Sequence, residues 1–488
     1  MMPRSTNLTN PSELSRPAVA VAMLCLILSL PLFFLPAFTP DEVWFYRDSM
    51  AIEQQGIYPI AQLPHLGYGA SFWLAYATLI RVLRNQMLVL YVARAFCFLL
   101  AASVPLLLIW EGRRIRSPFT LHSVVLWFAL PMAWWTGKVV SPEIPSYVMV
   151  IYALLLVRER PTAAWLLWGL AAGLKLTALP AGAILWAIGQ ERNWTSASKA
   201  MGYAALGFVI GNPVLLFHPI LFREAMLVAW EPWVVNIYTI FRMLFSTCWE
   251  WDGVPSGGIF VHGVCLLTVI MTFDSLWSEG KKDAEMRMAA KGFLCTWGIT
   301  LILVLRSRFL LWYAFPALAI VPFGLLYLTK RSRYVTAAVF CQVLFGAPLI
   351  YWQYSQKLSH FRELRAYEEL RAEVDPKLAE WHPDLVADLA VVGRLGNQTP
   401  AEGRQYLSEM ASESVIQHGP ESVTARMHGR LAIVLNRRLM GVSAIYDQFL
   451  KDLNNPKWAG KFKLVASGET KAARLFLFET DGAETARR

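Results

Sequence analysis

The chain has 488 residues, of which 56% are hydrophobic and only 16% charged, whereas soluble domains carry roughly a quarter charged residues. Long apolar segments recur up to residue 352. This composition excludes an ordinary soluble enzyme and predicts a polytopic α-helical membrane protein. The net charge of +10 therefore concerns orientation and lipid headgroups, and we expect no nucleic-acid partner. The six cysteines form no CxxC motif, so neither a disulfide framework nor a zinc site is implied.

The apolar runs predict about 11 transmembrane helices. The first run has no clear cleavage site and is interpreted as a retained span rather than a signal peptide. The predicted spans are 17–37, 88–110, 119–136, 145–157, 162–174, 176–190, 199–217, 257–273, 290–305, 309–328 and 334–352.

Lysine and arginine in short loops mark the cytoplasmic side of a membrane protein. With the N-terminus inside, this topology places all basic loops on that side. They are EGRRIR (111–116), RER (158–160), ERNWTSASK (191–199), GKKDAEMRMAAK (280–291) and KRSR (330–333). The same topology puts residues 38–87, 137–144, 218–256 and the tail after 353 outside.

Two apolar segments need a separate interpretation. Residues 71–83 would form a helix of only about 20 Å, against about 30 Å of hydrocarbon, so we predict an interfacial helix in the first outer loop. Residues 161–189 could form one long span, but that would move all later loops to the other side of the membrane. The topology therefore predicts two short helices, with a break at Gly173-Leu-Lys175-Leu-Thr177. Burying a charged lysine side chain between spans costs free energy, which favours a position of Lys175 facing a cavity.

The chain changes character after Tyr354. Residues 355–488 are charged and mix a helical pattern, KLSHFRELRAYEELRAEV, with the strand-like runs LAVVGRL, LAIVLN, FKLVAS and ARLFLFE. This mixture predicts a small α/β domain outside the cytoplasm. The predicted organisation is a membrane domain at 1–354 and a soluble domain at 355–488.

The stretch AFTPDEVWFYRDS, residues 37–49, follows the first span directly. One interpretation is a simple helix start, with Thr39 as N-cap and acids at the positive helix end. The other is catalytic: a carboxylate at the membrane surface takes a proton from an acceptor as it attacks, and the aromatic run, including Tyr46, stacks on a sugar ring.

Several motifs occur in a characteristic order. A PDE pair opens the outer loop, Gly67-Tyr68-Gly69 leads into an aromatic helix, Tyr91-Val-Ala-Arg94 opens the next span, and GLKLTALP and RSRFLLWYAFPALAI (306–320) follow. This order resembles the GT-C superfamily of membrane glycosyltransferases, in its protein O-mannosyltransferase and aminoarabinose-transferase branch. The resemblance covers residues 17 to about 350 and leaves the tail uncovered.

The resemblance implies an inverting transfer of a sugar from a polyprenyl-phosphate donor to a glycan, lipid or protein acceptor on the outer face. It implies a bacterial inner-membrane enzyme whose site faces the periplasm or exterior. No GxxxxGK[ST] or GxGxxG motif is present, which suits a donor without a nucleotide. Asp41 matches the general base, and Glu42 orients the loop or contacts a metal. Glu143 matches a second acid, although a plain helix-start charge after Pro142 explains it equally well.

Cations must meet the charge of the leaving phosphate. Lys175, Arg306 and Arg308 are the candidates, with interfacial snorkelling as the alternative for the two arginines. His65 and Tyr68 of PHLGYG lie near the expected site.

Two aromatic-acid clusters, AWEPW (229–233) and CWEWDG (248–253), suit sugar binding, with Trp249 and Glu250 as candidates. An interfacial tryptophan belt is the alternative. A divalent metal between Asp41 and Glu143 would be Mg²⁺ or Mn²⁺. Two other function classes stay open, a membrane transporter and a non-catalytic scaffold for envelope assembly.

Overall fold

The computed structural model has two compact units, Met1–Leu35 with Asp48–Ser355, and Pro36–Arg47 with Gln356–Arg488. The described residues are 11–34, 40–56, 69–130, 140–189, 193–217, 219–220, 223, 258–281, 283–306, 315–328, 333–388, 405–406, 415–416, 429–437, 444–453 and 462–480.

Helices lie over all the apolar segments predicted to span the membrane. They are α1 (Pro11–Phe34), α2 (Pro40–Gln55), α3 (Ala70–Leu83), α4 (Gln86–Arg114), α5 (Thr120–Ala129), α6 (Glu143–Leu156), α7 (Pro161–Leu174), α8 (Ala181–Gly189), α9 (Trp194–Gly211), α10 (Val214–Phe217), α11 (Gly258–Gly280), α12 (Ala284–Arg306), α13 (Phe315–Leu326) and α14 (Arg333–Trp381). Within the described residues, Met87–Arg114 is the one helix long and apolar enough to cross a membrane. The number of crossings therefore stays a prediction.

The helix α3 coincides with the predicted interfacial segment. Its buried residues Trp73, Tyr76, Ala77 and Ile80 recur at the three- and four-residue spacing that gives a helix one packed face. Val82, on the other side, is 69% exposed.

The break predicted at Gly173–Thr177 is confirmed. Helix α7 ends at Leu174, Lys175 is extended with φ −151° and ψ 116°, and a short 3₁₀ turn precedes α8. The chain reverses there, because Trp165 near the start of α7 packs against Trp186 near the end of α8, with ring centroids 6.0 Å apart. The Trp168 indole N–H donates to the Ala178 carbonyl at 3.0 Å and so holds the turn. Two short antiparallel helices result.

Glycines let α7 and α9 pack in close backbone contact. A Cβ at Gly169 would lie 2.0 Å from the Ala204 carbonyl oxygen, and one at Gly207 would lie 2.1 Å from that of Leu166. Gly173 and Gly211 repeat the pattern one turn further along, giving two pairs of glycines with a four-residue spacing. Small residues at this spacing bring membrane helices together.

Buried and exposed ion pairs gather at the opposite end of the helices from the break. Both carboxylate oxygens of Glu111, which is fully buried, accept from Arg114 at 2.6 and 2.7 Å. The Tyr327 hydroxyl donates to Glu111 at 2.7 Å, and Arg114 also pairs with Glu159 at 2.8 Å. The predicted cytoplasmic loops 111–116 and 158–160 therefore meet at one end of the first unit. This is consistent with the predicted topology, in which both loops lie on the same side of the membrane.

The second unit contains a five-stranded sheet in the order β2-β1-β3-β5-β4. Strand β1 is parallel to β2 and β3, and β5 is antiparallel to β3 and β4. The strands are β1 (Leu385–Asp388), β2 (Gln405–Tyr406), β3 (Arg430–Asn436), β4 (Phe462–Glu469) and β5 (Ala473–Thr480), and helix α15 is Ala444–Asp452.

Alternate residues of β3 face opposite sides of the sheet. On one side Ala432 and Val434 pack with the last turns of α14, including Trp381. On the other side Leu431 and Ile433 pack with residues of α15. Of the strand-like runs, LAIVLN, FKLVAS and ARLFLFE coincide with strands, whereas LAVVGRL (389–395) lies outside the described residues.

Candidate functional site

Three parts of the first unit converge where α7 breaks. The Gly69 amide, just before α3, donates to the Gly173 carbonyl at 3.1 Å. Gly69 has φ +72°, and a Cβ there would lie 2.6 Å from the Leu174 carbonyl oxygen and 3.7 Å from Cβ of Pro142. Only glycine combines this backbone conformation with so close an approach. The start of α3, the start of α6 and the break thus form one junction.

The junction holds a buried ion pair. The Lys175 ammonium lies 2.9 Å from a carboxylate oxygen of Glu143, and the two side chains are 10% and 5% exposed. Lys175 is the extended residue at the break, and Glu143 is in the first turn of α6. The structure therefore joins two residues, 32 positions apart, that the sequence nominated for separate roles.

Side-chain hydrogen bonding fixes α6 against α7. The Ser146 hydroxyl, itself fully buried, donates to the Ala171 carbonyl at 3.0 Å. Ala171 is also the acceptor for the Lys175 amide at 2.9 Å. The carboxylate and the ammonium are thus presented by two helices with a defined mutual position.

Two buried hydroxyls lie close to Glu143 in the sequence, that of Ser141 just before α6 and that of Tyr147 one turn into it. Ser141 is fully buried and Tyr147 is 1% exposed, and within the described part of the chain neither hydroxyl has a hydrogen-bond partner. Tyr147 lies four residues after Glu143, on the same helix face, and interacts with it electrostatically. A buried hydroxyl without a partner carries a desolvation cost that a polar ligand would relieve.

This arrangement can bind a small anion. An ammonium in surroundings of low dielectric attracts a negative group strongly, the start of α6 contributes the positive end of its helix dipole, and the hydroxyls can donate. A phosphate group has the charge and the acceptor oxygens for such a site.

The same residues do not fit a divalent cation. Among the described residues no three His, Cys, Asp or Glu side chains lie together, and the ammonium of Lys175 occupies the side of Glu143 that a metal would need. The expected Mg²⁺ or Mn²⁺ stays a prediction.

The candidates Asp41, Glu42 and Tyr46 of the first outer loop lie on α2, which begins at Pro40 as a helix-start interpretation expects. Glu42 is fully buried and Tyr46 is 9% exposed. The side chain of Asp41 lies outside the described part of the chain, as does that of Arg306, the last residue of α12. His65, Tyr68, Trp249, Glu250 and Arg308 also lie outside the described residues. Their roles remain predictions.

Sequence reasoning missed Ser141 and Tyr147. Tyr147 carried a weak signal, since it follows Glu143 by one helical turn within a predicted span. Ser141 carried none, because a serine before a proline is an ordinary turn residue.

No protein family and no curated protein matches the chain. Among solved structures, the chain is similar to a crystal structure of ArnT from Cupriavidus metallidurans bound to undecaprenyl phosphate. The identity is 12%, the match covers 94% of this chain and 97% of that chain, and the TM-score is 0.50.

The chain shares the fold of this ArnT structure. The fold implied by the sequence resemblance is thereby confirmed, whereas the number of spans and the outer domain stay predictions. A likeness at this identity shows the fold, and fold does not determine function.

Proposed function

We propose that the chain is a membrane glycosyltransferase that moves a sugar from a polyprenyl-phosphate donor to an acceptor outside the cytoplasm. The acceptor is a glycan, a lipid or a protein. The enzyme belongs in this proposal to a bacterial inner membrane, with its site at the end of the helices that carries Gly69, Glu143 and Lys175.

The observation that carries the proposal is the buried Lys175 at the break between α7 and α8. A charged side chain inside a membrane domain is costly and marks a functional site by default. The charge contacts Glu143 in the first turn of α6, and a helix N-terminus is an environment suited to phosphate. Polyprenyl phosphate is the anion found in the ArnT structure, whose fold this chain shares.

The proposed reaction is a single displacement at the anomeric carbon. The acceptor oxygen or nitrogen forms a bond to that carbon while the bond from the carbon to the phosphate oxygen breaks. The phosphate leaves with the bonding electron pair, and Asp41 takes the acceptor proton as general base. Lys175, supported by Arg306 and Arg308, meets the charge that develops on the leaving phosphate.

The remaining candidates have binding roles in this proposal. The sugar or the acceptor is contacted by Tyr46, His65, Tyr68, Trp249 and Glu250. Their aromatic rings stack on the apolar faces of the sugar, and the carboxylate accepts hydrogen bonds from its hydroxyls. Glu42 orients the first loop.

The proposal is tested with membranes that contain the chain and a panel of radiolabelled polyprenyl-phosphate sugars. Glycan, lipid and protein fractions from the same membranes serve as acceptors. We expect label to move from one donor, and the receiving fraction names the acceptor class. No transfer from any donor, with all three fractions supplied, contradicts the proposal.

The broken helix α7–α8 also favours a second candidate, a secondary transporter, because discontinuous helices form transport sites. Proteoliposomes separate the two functions. Uphill uptake of a solute without consumption of a lipid-linked sugar supports the transporter, whereas transfer without uptake supports the enzyme.

A further inference from the structure

We propose that Glu143 acts as a latch on Lys175. It holds the ammonium in the empty enzyme, yields it to the phosphate as the donor bond breaks, and takes it back when the polyprenyl phosphate leaves. This inference rests on the proposed function and makes Glu143 a positioning residue rather than a second catalytic acid.

The geometry of the pair is that of a held lysine. The ammonium and the carboxylate are 2.9 Å apart and almost fully buried, so each stabilises the other against the loss of water. The Ser146 hydroxyl, bonded to the Ala171 carbonyl, ties α6 to α7, and the Gly69–Gly173 hydrogen bond fixes the break itself. The ammonium is thus held at the break, where a ligand phosphate can take over the role of the carboxylate.

The charges of substrate and product decide when the exchange occurs. A polyprenyl-phosphate sugar is a phosphodiester with one negative charge, equal to that of Glu143. The leaving phosphate is a monoester and carries about 1.5 to 2 negative charges at pH 7. A group with one charge competes poorly with a carboxylate already in place, whereas the leaving phosphate competes well. Lys175 therefore moves to the phosphate as the bond breaks, which stabilises the transition state more than the bound donor.

The same competition assists product release. Without Glu143, the dianionic product would keep an ammonium in a site of low dielectric and would dissociate slowly. With Glu143, the lysine has an alternative partner at the same place. In the opposing interpretation, the pair is structural and never separates, so that Glu143 only neutralises Lys175.

Binding measurements on purified protein distinguish the two interpretations. The probes are farnesyl phosphate, a monoester, and its methyl ester, a diester, and the proteins are wild type, Glu143→Gln and Glu143→Gln/Lys175→Gln. We expect Glu143→Gln to bind the monoester at least about tenfold more tightly than wild type, which corresponds to about 1.4 kcal/mol. The gain should be smaller for the diester and should disappear in the double variant.

The matched control is Glu285→Gln. Glu285 pairs with Arg158 at 3.1 Å, with both side chains nearly half exposed, so the affinity should change by less than about twofold. If Glu143→Gln fails to fold, Glu143→Asp replaces it. Its shorter side chain weakens the latch, and the monoester affinity should still rise.

Each outcome bears on a different claim. Unchanged or weaker monoester binding in folded Glu143→Gln or Glu143→Asp, while wild type binds the probe and transfers sugar, overturns the latch and leaves the proposed function standing. Absence of binding and of transfer in wild type overturns both.

Discussion

The amide of Gly69 donates a hydrogen bond to the carbonyl of Gly173, which joins the start of α3 to the end of α7. The contact brings the predicted first outer loop to the residue pair Glu143–Lys175. In the sequence, Gly69 directly follows the segment with the predicted ligands His65 and Tyr68.

The variant Gly69→Ala should impair both stability and transfer. Its φ of +72° costs a residue with a Cβ about 1–3 kcal/mol, and the added Cβ would lie 2.6 Å from the Leu174 carbonyl oxygen. Gly56→Ala is the control, because Gly56 has φ +70° but open space around a Cβ. We expect a larger loss of thermal stability and of sugar transfer for Gly69→Ala, and equal losses in the two variants would contradict the close contact.

Helix α9 offers a second matched pair of glycines. A Cβ at Gly207 would lie 2.1 Å from the Leu166 carbonyl oxygen, whereas one at Gly202 would meet nothing within 4 Å. Gly207→Ala should destabilise by about 1–3 kcal/mol through overpacking. Gly202→Ala should stabilise by about 0.5–1 kcal/mol, since alanine is the better helix former. Thermal unfolding in detergent measures both, and a neutral Gly207→Ala would disprove the tight α7–α9 packing.

The buried carboxylate of Glu111 depends on Tyr327. Tyr327→Phe removes a hydrogen bond of 2.7 Å to that carboxylate, which should cost about 1.5–3 kcal/mol. The exposed pair of Arg158 with Glu285 gives the comparison, because Arg158→Gln should cost at most about 1 kcal/mol. Apparent Tm values are the readout. A smaller effect for Tyr327→Phe than for Arg158→Gln would argue against this cluster as a stabilising element.

The predicted orientation can be tested by cysteine labelling. Gln54 and Lys281 are exposed and are predicted to lie on opposite sides of the membrane. In a background without the six native cysteines, of which Cys295 is exposed, an impermeant maleimide should label Gln54→Cys in intact spheroplasts and Lys281→Cys only after permeabilisation. The reverse pattern would show that the predicted orientation is inverted. Labelling of both variants in intact spheroplasts would contradict the prediction that the two positions lie on opposite sides of the membrane.

The break at Lys175 could be predicted from the sequence because the basic loops further along the chain require two short helices at 161–189, and a glycine and a lysine interrupt that apolar run. The helix α3 could be predicted from the length of its apolar run and from the same count of charges. Both predictions needed only composition along the chain and no knowledge of packing.

The pairing of Glu143 with Lys175 could not be predicted, because it depends on how α6 packs against the break. The sequence showed an acid and a base 32 positions apart and nothing that fixed their distance. Glu111 was missed for a related reason. Counting charges placed it in a basic loop, whereas the fold buries it against Arg114 and Tyr327.

The most direct test of the account compares sugar transfer by wild type with that by Asp41→Asn, at equal expression and with the active donor. Asp41 and Glu53 both lie on α2, so Glu53→Gln is the control. We predict a rate about 10²–10⁴-fold lower for Asp41→Asn, with Glu53→Gln close to wild type. Transfer at the wild-type rate by Asp41→Asn would contradict the assigned base, and no transfer by wild type itself would contradict the glycosyltransferase.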